Sequence, residues 1–293
     1  MASPAAERPV RLLCLLLAAA GCAHGSSSKK GDSQEPSFDE HIRQSTVPVP
    51  EDLKLEVERA EQIGAMLQVY DRAAWLATDA VLAARVRESL GLGGYIVLPE
   101  GDSSGPTGGW QAVFYSASEP TKVLFRVRLL EGQKPIVVQL DPPEDPVDGM
   151  DLLIRARKTA IASVEEPEQP LNPVIVPGSV IGEDGILVYL IAGTTEPKHA
   201  VFGRHYRVLV SEDGSRVLRS EPLSKSALVL PLEPPEANGM KPEALYVTHI
   251  VSSTPLETHV LASLQHDTRV LVATDRGNWL VDGRKITFLG ARE

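Results

Sequence analysis

Val113-Phe114-Tyr115-Ser116-Ala117-Ser118-Glu119-Pro120 and Val188-Tyr189-Leu190-Ile191-Ala192-Gly193-Thr194-Thr195-Glu196-Pro197 are two β-rich runs, each closing in a polar turn and a Glu-Pro pair, the second two residues longer than the first. Both continue into an apolar run with arginines, containing Phe125 in one case and Phe202 in the other. Around the first lie Tyr95 to Leu98, Val123 to Leu130 and Ile136 to Leu140, separated by Gly, Pro, Asp and Ser clusters, which predicts an antiparallel meander. Around the second lie Val174 to Val176, Ile186 to Ile191, Val201 to Val210, Arg216 to Glu221 and Ala227 to Leu230, a second meander. A decayed duplication and a shared strand-turn-strand pattern both account for the agreement.

Each meander is preceded by helical spacing. From Glu51 to Leu90 the apolar residues Leu53, Val57, Ala60, Ile63, Leu67, Tyr70, Ala74, Ala77, Val81 and Ala84 recur at intervals of three and four. That stripe predicts an amphipathic helix with acidic Glu51 and Asp52 at its positive end, or two helices with a bend at Thr78 or Asp79. Met150 to Ser163 carries the same spacing, after three prolines between Asp141 and Asp148 break the chain. Leu232 to Pro242 is a proline-rich connector, and Ala244 to Leu289 predicts five more short strands. Asp213-Gly214 and Asp282-Gly283 are hairpin turns in this reading. The chain is therefore expected to be α+β: two helix-plus-antiparallel-meander modules over 51–143 and 144–232, then a β-rich C-terminal extension over 243–290.

The first thirty residues carry Arg8 and Arg11, an apolar run from Leu12 to Ala20, and Ala19-Ala20-Gly21-Cys22. This is the charged, apolar and small-residue layout of an export signal, and the apolar run is well short of the roughly 20 residues that cross a bilayer. Ala19-Ala20-Gly21-Cys22 resembles the lipobox of bacterial lipoproteins. The resemblance implies that the signal peptide 1–21 is removed, that the Cys22 thiol is diacylated, and that the new amino group takes a further acyl chain such as palmitate. Ala23 in place of Asp after the cysteine implies sorting to the outer membrane, with the head facing the periplasm. Residues 22–50, rich in Ser, Gly, Lys, Asp and Pro, predict a flexible lipidated tether that lets the head range over about 30 Å.

Removal of residues 1–21 takes away Arg8, Arg11 and Glu7, leaving 27 basic and 38 acidic residues and a net charge of −11. An acidic head offers no electrostatic footprint for nucleic acid. Cys14 leaves with the leader and Cys22 carries lipid, which excludes disulfides, thiol catalysis and cysteine-ligated zinc.

Two stretches resemble catalytic signals. Gly101-Asp102-Ser103-Ser104-Gly105-Pro106 resembles the nucleophile loop of trypsin-like proteases but departs from it at Ser104. Its only upstream histidines, His24 and His41, lie in the expected tether, so a polar loop is the simpler reading. Thr248-His249 followed by Glu257-Thr258-His259 is the second. On a strand, Glu257 and His259 share a face, so with His249 from a neighbouring strand they would offer two imidazoles and a carboxylate to zinc or ferrous iron. His266, His199 and His205 are possible additions, and ordinary hydrogen-bonded histidines account for the same pattern. Arg204, His205, Tyr206 and Arg207 form a basic aromatic group suited to a carboxylate or to a solvated strand face. Gly91-Leu92-Gly93-Gly94 precedes a strand and so makes no phosphate cradle. Trp75 and Tyr70 are expected in the core, and Trp110 and Trp279 across hairpins or facing a groove.

A helix on a four-stranded antiparallel sheet resembles, in topology alone, the cystatin-like and PepSY-like modules of exported bacterial proteins. It carries no functional residue over. The expected function is a non-enzymatic envelope lipoprotein without cofactor, acting as a binding or scaffolding module. Its expected partners are the membrane, through Cys22, and an envelope protein or polymer. The alternatives are a metal-binding protein or metal-dependent hydrolase using His249, Glu257 and His259, and a PepSY-like regulator of a protease.

Overall fold

A computed structural model describes residues 36–84, 91–100, 109–147, 149–165, 170–193, 196–233 and 241–292. Its helices are α1 (Phe38–Ser45), α2 (Lys54–Ala83), α3 (Met150–Ala162) and α4 (Glu257–His266). The first sheet runs in the order β1 (Leu92–Pro99), β2 (Trp110–Ser116), β3 (Val123–Leu129), β4 (Ile136–Glu144), antiparallel throughout. The second has the order β5 (Leu171–Pro177), β6 (Ile186–Ala192), β8 (Tyr206–Val210), β9 (Val217–Pro222), again antiparallel. The strand skipped there, β7 (His199–Phe202), pairs instead with β10 (Leu228–Pro231). The last sheet is β11 (Leu245–Thr248), β12 (Val270–Ala273), β13 (Asn278–Asp282), β14 (Lys285–Phe288). The class is α+β, and Phe38–Glu293 is one compact unit.

The stripe predicted from Glu51 forms a short 3-10 turn and then one unbroken helix, α2, about 45 Å long. It serves all three four-stranded sheets. Leu53, Val57 and Ala60 pack against Val247, Val272, Trp279 and Ile286 of the last sheet. Ile63 and Leu67 meet Val174, Leu187, Tyr189 and Leu209 of the second. Ala73, Ala77 and Val81 meet Ala112, Phe114, Phe125 and Val127 of the first.

Helix α3 covers the opposite faces of the first two sheets. Met150 and Ile154 pack on Val113 and Tyr115, and Ala156 and Ala160 on Val188, Leu190 and Val208. Because both faces of β6 are covered, all seven of its residues are buried, which is why its sequence is a continuous apolar run. The aligned pairs Val113 and Val188, and Phe114 and Tyr189, face the same helices in the two sheets. The likeness ends there. Phe125 stays in the first sheet, whereas Phe202 leaves with β7 and packs on the last one.

Four sequence expectations change. Val201 to Val210 is two strands, because Gly203 and Arg204 both adopt positive φ and turn the chain out of the second sheet. The C-terminal region holds four strands and a helix instead of five strands, with α4 crossing between the parallel neighbours β11 and β12. Within the expected tether 22–50, the segment 38–50 is docked on the last sheet. There α1 is held by an Asp39–Arg269 ion pair at 2.7 Å and by the Arg269 guanidinium over the Phe38 ring, and the Val47 N–H donates to the Phe288 carbonyl on β14. Few apolar residues lie in that stretch, but Val49 also packs on the last core, so a low average hydropathy conceals a docked segment. Trp75, finally, is 61% exposed and not part of the core.

Candidate functional site: two clefts around helix α4

Helix α4 begins without a serine, threonine or aspartate cap. Its first turn is closed by His259, whose Nδ1 accepts the Leu256 N–H at 3.0 Å. Glu257, in the same turn, points elsewhere. Its Oε1 accepts from the Tyr189 hydroxyl at 2.7 Å and from Arg207 Nη2 at 2.6 Å and Nε at 3.1 Å, with the carboxylate side chain only 4% exposed. Glu257 and His259 were expected to share a face of a strand. On the helix they lie about 200° apart, so one faces the second sheet and the other faces His249.

The two histidines of the expected metal set do meet, ring centroids 4.8 Å apart and nearly perpendicular. Ser252 donates its hydroxyl proton to the Thr254 carbonyl, so His249 Nε2 is the donor in its 2.8 Å bond to Ser252. His205 joins them from the β7–β8 turn, its Nδ1 accepting the Ala192 N–H at 3.0 Å. The three imidazoles border a cleft of about 210 Å³ that also takes in Ser224, Ser226 and Thr258. Glu257 is not in it. Among the described residues no group of three His, Cys, Asp or Glu side chains is placed to hold a metal ion.

Burial pushes the His205 and His249 imidazoles down to about 4 and His259 well below its usual value, the neighbouring histidines adding to the last. In the unfolded chain each takes up a proton near pH 6.5. A group whose folded pKa is depressed contributes stability above its unfolded value and loses it as pH falls toward the folded one. Stability is therefore predicted to be flat above about pH 6.5 and to fall toward pH 4 by up to about 4 kcal/mol per pH unit. Urea denaturation midpoints measured between pH 7.5 and 5 check this, and a midpoint that does not move would contradict it.

A second cleft, about 490 Å³, shares His205 and Thr258 with the first and lies between α2, α4, β6 and β7. Trp75 stands at its edge. Gln68, Asp71 and Arg72 line it from the preceding turns of α2, and Gln265 and Asn172 from α4 and β5. Gln265 Nε2 donates to Asp71 Oδ2 at 2.7 Å, and burial raises the Asp71 carboxyl against that bond.

No family model, curated protein or solved structure matches this chain. Function must then be argued from the residues themselves. Cys22 and the lipobox lie outside the described residues, as does the Gly101 to Pro106 loop with Ser103 and Ser104. Arg207 is taken up by Glu257, and Tyr206 packs on the α3 core. His199 is held by its own turn through Pro197, and it lines the larger cleft together with His205 and His266. Gly91 to Gly94 lead into β1 and stand at no helix N-terminus. Trp279 is fully buried against Phe288 with its indole N–H on Thr274, while Trp110 packs edge-on to Tyr70.

Sequence reasoning missed the Asp71–Gln265 pair, whose members are far apart in the chain and unremarkable alone. A signal for Trp75 was present. It follows Ala74 directly and so sits about 100° off the buried stripe of α2.

Proposed function

We propose that this chain is a lipid-anchored envelope protein, held by Cys22 in the outer membrane and facing the periplasm, whose head binds an envelope component instead of transforming one. The observation that carries the non-enzymatic reading is the use made of the buried polar groups around α4. Glu257 is consumed by Arg207 and Tyr189, His259 Nδ1 by the Leu256 amide, and His205 Nδ1 by the Ala192 amide. Groups engaged in this way fix the position of a helix, and Ser252, which does meet an imidazole, accepts from His249 and gives its own proton to the Thr254 carbonyl, so it is not poised as a nucleophile. The open cleft beside the exposed Trp75 supports binding, since an indole offers an apolar face and a polar edge to a partner. The anchor rests on Ala19-Ala20-Gly21-Cys22.

The test is fractionation of cells producing the natural chain and Cys22→Ala. The natural chain is expected in the outer-membrane fraction and the variant in soluble or uncleaved form. Equal membrane association of both would overturn the anchor. Chemical crosslinking from the natural chain in intact cells is expected to capture an envelope component at the Trp75 face.

A further inference from the structure

We propose that the cleft between α2, α4 and the β6–β7 edge binds an uncharged carbohydrate, with the Trp75 indole as its stacking platform; this rests on the binding-module reading and names its ligand class. The wall on α2 is ordered by helical periodicity. Gln68, Asp71 and Arg72 lie seven, four and three residues before Trp75, so all four side chains share one face. That face lies about 100° around the helix from the stripe that builds the three cores, and it is where α2 exposes its largest apolar ring. Most of that ring stays in water after folding, and it is placed where a ligand would cover it.

Carboxamides recur in the polar lining. Gln68, Asn172 and Gln265 are carboxamides, each with a donor and an acceptor, and sugar hydroxyls also do both. Asp71 is fixed by the hydrogen bond from Gln265, and its carboxylate oxygens can accept from a sugar hydroxyl. Below them Ile191, Val201 and Leu261 give an apolar floor against which the C–H face of a sugar ring can lie. Beside His199, His205 and His266, the permanent charges of the lining are Arg72 against Asp71 and Glu196, so an acidic polymer would meet a single permanent cation opposed by two carboxylates. β7, which contributes His199 and Val201, pairs with β10 alone, so strand addition by a peptide is the competing mode, which crosslinking at the Trp75 face tests.

The experiment is isothermal titration of the full-length mature chain in detergent with three probes: a tetramer of N-acetylglucosamine, maltotetraose and tetragalacturonate. Saturable binding of at least one neutral tetrasaccharide is expected, with Trp75→Ala and Gln265→Ala each weakening it about tenfold or more. Trp75→Ala is at an exposed helical site where alanine is favoured, so its melting temperature is expected to match the natural chain. The proposal is overturned if neither neutral probe binds, if binding survives Trp75→Ala, if tetragalacturonate is preferred, or if crosslinking at the Trp75 face yields a protein segment in place of a glycan. Failure here leaves the Cys22 fractionation result untouched, and loss of anchoring would leave this titration measurable.

Discussion

Gly64→Val is expected to lower the melting temperature by about 6–12 °C, the response of a protein of this size to roughly 3 kcal/mol. Gly64 is the point where α2 and α4 touch backbone to backbone. A Cβ there would stand 2.5 Å from Val260 Cβ and 2.7 Å from both the Glu257 carbonyl oxygen and Val260 Cγ1. The carbonyl belongs to the first turn of α4 and cannot swing aside without moving the helix. A glycine inside a helix costs about 1 kcal/mol relative to alanine, so its presence is otherwise unfavourable. Gly64→Ala regains that propensity and has a smaller volume, which places it between the natural chain and valine. Thermal melts of the three proteins check the order. Equal melting temperatures would mean that α2 and α4 are not in the contact described.

The second large effect is at Glu257. Glu257→Ala is expected to destabilise the chain by about 3–5 kcal/mol, because it leaves Arg207 without its buried partner and strands the Tyr189 hydroxyl. Tyr189→Phe removes one neutral donor and should cost about 1 kcal/mol. Arg207 keeps Glu221 at 3.6 Å as a second carboxylate, so Glu257→Leu combined with Arg207→Met should cost less than Glu257→Ala alone. Chemical denaturation of the three variants compares these costs. A loss under about 1 kcal/mol for Glu257→Ala would place the pair among exposed ion pairs and contradict its burial. The bond also bears on function, since it pins the first turn of α4 to β6 and β8 and so sets where Gln265 and His259 stand in the two clefts.

The parts of the fold legible in the sequence are those whose periodicity survives packing. Helix α2 buries one stripe and exposes the rest, so Val57, Ala60, Ile63 and Leu67 announce it. At Asp213-Gly214, Gly214 takes a φ of +73° and Asp213 accepts from the Ser215 N–H and the Ser211 hydroxyl, the chemistry the dipeptide suggests. Helix α4 was not legible because every residue from Glu257 to Ser263 is buried, which erases the stripe, and because an imidazole replaces the usual capping side chain. Reading it as a strand then turned Glu257 toward His259, when a helix turns it away. The break at Gly203 was hidden by apolar residues on both sides, since β7 and β8 are both strands but belong to different sheets. The larger cleft joins residues from α2, β5 and α4, and no local pattern could have assembled it.

The proposed lipid anchor decides where this molecule works, and the mass of the mature N-terminus tests it most directly. Mass spectrometry of the protein extracted from membranes is predicted to find a chain that begins at Cys22, with two acyl chains on a glyceryl thioether and a third on the amino group. A chain that retains residues 1–21, or one cut elsewhere with an unmodified Cys22, would contradict the account.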